Sequence, residues 1–113
     1  SLIETLYQAV DNKDLAYLSG ALTDDVKFRL GNNATLIGKD SVLQANSQFF
    51  QTIGSMSHTI DKVWAVDTEV ICNGLVDYVR LDGSNHSAYF STVLTLRDGM
   101  ISDYMVYADV SGL

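Results

Sequence analysis

At 113 residues the chain is the size of one domain, large enough to bury a core without support from a disulfide or a metal. Fourteen acidic against seven dispersed basic residues give a net charge of −7, which excludes the concentrated basic surface that nucleic acid or an anionic membrane requires. A lone Cys72 cannot close an internal disulfide, and no apolar run approaches the roughly 20 residues that span a bilayer, so a soluble cytoplasmic protein without an export signal is expected.

Ile3, Leu6, Tyr7 and Val10 recur at i, i+3, i+4 and i+7, which predicts a first helix ending near Asp11 and Asn12. Asn12 is expected to cap a second helix running through Leu15 and Leu18 to a stop at Gly20. The alternation Val26, Phe28, Leu30 predicts a strand that breaks at Gly31-Asn32-Asn33. A third helix is expected after Gly38, with Val42, Phe49, Phe50 and Ile53 on its apolar side and Gly54 as its terminator. From His58 onward the pattern is strand, divided at Asp67-Thr68, at Asp82-Gly83-Ser84-Asn85 and at Asp98-Gly99, the last being a strong hairpin signal.

These elements predict an α+β fold of one domain, 1–113, in which a strongly curved antiparallel sheet wraps around three N-terminal helices and leaves a pocket inside a cone. The strands expected over about 69–81 and 86–97 are long and must twist, and Gly74 is a natural place for a bend. Both sheet faces are apolar. Helices can cover only the concave one, so a convex surface of Val76, Tyr78, Tyr89, Val93, Met105 and Tyr107 predicts a homodimer packed sheet to sheet.

The stretch GLVDYVRLDG sets Asp77 in the apolar middle of a strand, and a carboxylate there is tolerated if it faces a cavity where ligand or a hydroxyl satisfies it. The element order, with ALTDDVKF after the second helix, IGKDSV opening the third and LRDGMISDYMVYADVSGL at the end, resembles the nuclear transport factor 2-like superfamily, in particular its SnoaL-like branch. The resemblance implies the cone fold but not one chemistry, because the superfamily holds isomerases, epoxide hydrolases, cyclases, dehydratases and non-enzymes. The positions that hold the enolate oxygen and move the proton in its ketosteroid isomerases fall by counting on Leu6, Thr92 and Leu30, and the water-activating triad of limonene epoxide hydrolases falls on Leu75, Asp77 and Val106. Neither set of catalytic groups is complete here. The same count places Leu75, Asp77, Val79, Phe90, Thr92, Leu94, Tyr104, Val106 and Ala108 on the pocket side.

Desolvation would raise the pKa of Asp77 towards that of a general acid or base, with Tyr104 or Thr92 orienting a substrate oxygen; Asp77 and Tyr104 are thus the catalytic candidates. Leu6, Leu30, Asn46, Phe49, His58, Leu75, Val79, Phe90, Thr92, Leu94 and Val106 are the candidate ligand-binding residues. His58, at the start of the first meander strand, suits a dehydratase-like acid or base at the rim, whereas His86 follows a turn and is expected to be exposed. His58, His86 and Cys72 lack metal-ligand spacing, and no phosphate or dinucleotide fingerprint is present, so neither metal nor cofactor is expected. The expected ligand is a small, largely apolar or aromatic molecule. Two functions remain open: cofactor-free acid/base catalysis of isomerase, dehydratase, cyclase or hydrolase type, and a non-catalytic dimeric ligand-binding module.

Overall fold

A computed structural model describes residues 1–113. The element order is α1 (Leu2–Asp11), α2 (Leu15–Ala21), β1 (Leu22–Leu30), β2 (Leu36–Ile37), α3 (Lys39–Thr52), β3 (Ile53–Val66), β4 (Glu69–Arg80), β5 (Asn85–Arg97) and β6 (Met100–Ala108). No helix is long and apolar enough to cross a membrane.

Helix α1 starts where the Ser1 hydroxyl accepts the Glu4 N–H, and it buries Ile3, Leu6, Tyr7 and Val10, the stripe that the spacing predicts. Helix α2 is capped by the Asp14 carboxylate, which accepts from the Tyr17 N–H, and not by Asn12, which closes α1. It also runs one residue past Gly20. Gly54 does not terminate α3. The helix stops at Thr52 because Ile53 is already extended, and β3 begins there, five residues before His58.

The six strands form one sheet in the order β2-β1-β6-β5-β4-β3. Strands β3 to β6 are the expected antiparallel meander, but β1 runs parallel to β6, so the sheet is mixed. The physical reason is that β5 occupies one edge of β6 and the other remains for the strand that the helical hairpin delivers. The short β2 answers no pattern in the sequence. The bend falls at Gly74, where a Cβ would stand 2.3 Å from the Thr59 carbonyl oxygen and 2.7 Å from the Phe90 ring. The bulge that goes with it lies on the partner strand, between Ile60 and Lys62.

Register decides which side chains reach the interior. Val79 pairs with Asn85, and the Arg80 N–H donates to the Ser84 carbonyl at 2.7 Å, so Leu81, Asp82 and Gly83 form a three-residue loop with Gly83 at φ +86°. A loop of odd length pairs even residues with even: Gly74 with Phe90, Val76 with Ala88, Tyr78 with His86. The separator expected at Asp82–Asn85 has four residues and would pair odd with even. That one-residue difference turns β4 over relative to the expectation. Val76 and Tyr78 are buried on the concave side, whereas Leu75, Asp77 and Val79 lie on the convex side.

Candidate functional site

The concave face and helices α1 and α3 surround a small cavity of about 40 Å³. Tyr7 and Val10 of α1, Phe28 and Leu30 of β1, and Asn46, Phe49 and Phe50 of α3 form one side. The sheet supplies Met56, His58, Val76, Tyr78, Phe90, Tyr104, Val106 and Ala108. The space suits about three water molecules or a comparable number of ligand heavy atoms.

Of the residues singled out from sequence, Leu30, Asn46, Phe49, His58, Phe90, Tyr104 and Val106 line this cavity. Leu6 and Leu94 are fully buried in the packed core and reach no free space. Thr92 is fully buried behind the wall, where its hydroxyl bonds the Tyr7 hydroxyl. Tyr7 is the side chain of α1 that reaches Thr92.

Leu75, Asp77 and Val79 do not face the cavity. Asp77 is exposed on the convex surface and accepts a 2.5 Å hydrogen bond from the Ser87 hydroxyl of its cross-strand partner. The hydrophobic strand carries a carboxylate because that side of it meets water. His86, expected to be exposed, is half-buried over Tyr78 and against Gly112, and its Nε2 is buried without a protein partner.

His58, in the cavity wall, is paired with Asp11, which lines a neighbouring open cleft and not the cavity; sequence reasoning identified only the histidine. His58 Nδ1 lies 2.5 Å from Asp11 Oδ1, and the His58 backbone N–H donates to Asp11 Oδ2 at 2.9 Å. One carboxylate thus fixes both the strand and the ring. A carboxylate at Nδ1 favours the tautomer that carries its proton there, and the other ring nitrogen, Nε2, has no hydrogen-bond partner in the protein. Two aromatic rings that also touch each other pack on the imidazole: Tyr7 stacks on it at 4.4 Å, and Phe90 meets it edge to face at 5.1 Å. Asp11 had a signal of its own. It is the last residue of α1, at the negative end of the helix dipole, where a carboxylate is disfavoured unless something else compensates it.

The hydroxyl groups beside the pair are kept neutral. Burial, then the nearby Tyr104, pushes the Tyr7 phenol well above its ordinary range, and burial does the same to Tyr104. Burial, followed by the Asp11 carboxylate, pushes Tyr78 up to about 12. Such phenols remain proton donors at neutral pH. Tyr7 and Thr92 share one hydrogen bond between two hydroxyls, which uses one proton and leaves the other for a third partner. Burial also raises the Cys72 thiol, which suits an inert core residue. No group of three or more His, Cys, Asp or Glu side chains is placed to hold a metal ion.

The fold is thus a curved α+β cone whose interior holds a small, largely apolar cavity with one histidine in its wall. The sequence matches the family model of the SnoaL-like domain over residues 3–104, and the chain belongs to that family. No curated protein matches the sequence significantly. Among solved structures, the chain is similar to an LEH-like epoxide hydrolase of M. tuberculosis (TM-score 0.83, 18% identity, covering 96% of this chain and 80% of that one). It is likewise similar to a SnoaL-like polyketide cyclase from Jannaschia sp. CCS1 (0.81, 14%, 97% and 86%). A protein of ketosteroid isomerase-like fold from Catenulispora acidiphila, solved with trimethylamine, gives 0.87 at 15% identity, covering 98% and 87%. At these identities the likeness is one of fold.

Proposed function

We propose that the protein binds a small, largely apolar carbonyl compound in the cone and moves a proton to or from the carbon next to its carbonyl, without a cofactor. The observation that carries this reading is the His58–Asp11 pair: a histidine in the wall of an apolar cavity, its Nδ1 held by a carboxylate from outside that wall. A base of this kind needs a donor for the oxygen that gains charge as the proton leaves, and the neutral hydroxyls of Tyr7 and Tyr104 are in the same wall. In the step, the α C–H bond breaks, its proton goes to His58 Nε2, and its electron pair becomes the enolate, whose oxygen accepts from the tyrosine hydroxyl. Return of the proton to another carbon gives isomerisation; alternatively the enolate pair forms the Cα–Cβ double bond as the β C–O bond breaks, and the hydroxyl takes the proton from His58 and leaves as water, which gives dehydration. Exchange of α-hydrogens of a small ketone in D₂O tests the reading without knowledge of the natural substrate.

The protein acts as a homodimer in this reading. The convex face exposes Trp64, Val79, Tyr89 and Tyr107, and an open trough of about 720 Å³ runs across it between Thr59, Leu75, Tyr89 and Tyr107. The face mixes these aromatic and aliphatic groups with polar ones, Asp77, Asn73, Ser87 and Ser91, and with Arg29 over Tyr107 and Lys62 over Trp64; its apolar part is suited to a second copy of itself.

A further inference from the structure

The cavity beside His58 is not isolated. A second cleft, of about 100 Å³, opens between α3 and the segment that links β1 to β2. Four residues, Phe28, Leu30, Asn46 and Phe49, line both spaces, so the two adjoin. The outer cleft continues past Ala34, Leu36 and Ala45, and its lining is apolar apart from Asn33 and Asn46.

Polarity is therefore distributed unequally along the combined path. The inner end holds His58, Tyr7 and Tyr104, while the throat and the outer cleft hold aromatic and aliphatic groups. Asn46 spends its amide on the Val42 carbonyl, to which Nδ2 donates at 2.9 Å, and this leaves Oδ1 as the one acceptor in the throat. Phe49 packs edge-on to Tyr78 at 6.1 Å and lines both spaces. The inner space takes only a few heavy atoms, too few for a carbonyl compound with more than a short chain.

We propose that the two spaces form one binding site for an elongated ligand, with its carbonyl head at His58 and Tyr7 and an unbranched apolar tail threaded past Phe49 into the cleft between Ala34 and Ala45. The substrate class is thus a carbonyl compound with a medium-length alkyl or alkenyl chain. This rests on the proposed function for the head group and goes beyond it for the tail.

The test is a series of 2-alkanones from butanone to nonanone, with dissociation constants measured by NMR titration and the His58 imidazole signals followed in parallel. Each methylene that enters the outer cleft is expected to tighten binding about three- to four-fold. Ala34→Trp, on an exposed segment, is expected to cancel that gain for the longer ketones and leave butanone unchanged. Ala45→Phe is expected to do the same from the helical side, with melting curves showing that both variants fold. Affinity independent of chain length, with His58 still shifting, overturns the tail site and leaves the head-group reading intact. Chain-length dependence lost in Ala34→Trp, but with no shift at His58, supports the cleft and defeats the head-group reading. Failure of every ketone to bind overturns both.

Discussion

Asp11 and His58 are 47 positions apart in sequence, yet one carboxylate of Asp11 holds both the ring and the backbone N–H of His58, at 2.5 and 2.9 Å. The contact ties the end of α1 to β3. It places the only histidine of the cavity wall under the control of a helix terminus.

Replacement of Asp11 by Ala removes two hydrogen bonds to a partly buried carboxylate and is expected to cost about 2 kcal/mol of stability. A double-mutant cycle with His58→Ala should return a coupling of about 1–2 kcal/mol in chemical denaturation. Additive effects would show that the pair does not act as a unit.

Asp77 lies outside the site, so Asp77→Asn should leave ligand binding and turnover unchanged and move stability by no more than about 0.5 kcal/mol. Parallel assays of Asp77→Asn and His58→Ala separate the two carboxylate-linked positions. Loss of function in the first would return the strand to the orientation that a four-residue turn gives it.

Buried phenols make the fold sensitive to alkali. Tyr7, Tyr78 and Tyr104 have folded pKa values raised above the unfolded value of about 10, so their contribution is fully present below pH 10 and declines as pH rises above it. Denaturation curves should therefore be flat from these groups up to about pH 10 and shift to lower denaturant above it. Tyr7→Phe should reduce the steepness of that fall.

The convex face should associate. Light scattering is expected to give twice the chain mass for the native protein, because a stable interface needs about 1,000 Å² or more and this face offers a broad apolar area. Leu75→Glu, which puts a charge in its centre, should yield monomers with an intact melting transition. A native monomer at high concentration would show that the exposed tyrosines and their overlying cations suffice without a partner.

Element order and type were legible in the sequence because each long segment carries its own period: 3.6 residues in α1, and two in β4, β5 and β6. The faces of β5 and β6 were also correct, with Tyr89, Val93, Met105 and Tyr107 outside and Phe90, Thr92 and Tyr104 inside. What alternation cannot give is the parity of one strand relative to the next. That depends on the number of residues in the turn, and Asp82-Gly83-Ser84-Asn85 is compatible with loops of three or four. The difference moved Asp77 out of the site and brought Tyr78 and Val76 in. The parallel pairing of β1 with β6 and the Asp11–His58 contact were hidden for another reason. Both join segments distant in the chain, and no local period encodes them.

The central claim is that His58, oriented by Asp11, is the base of the cavity. Exchange of the α-hydrogens of 2-pentanone in D₂O, followed by proton NMR, measures this directly. The native protein and Asp77→Asn should accelerate exchange equally, His58→Ala should reduce the rate to that of buffer, and Asp11→Asn should fall between. Acceleration that survives in His58→Ala, or that disappears in Asp77→Asn, would contradict the account.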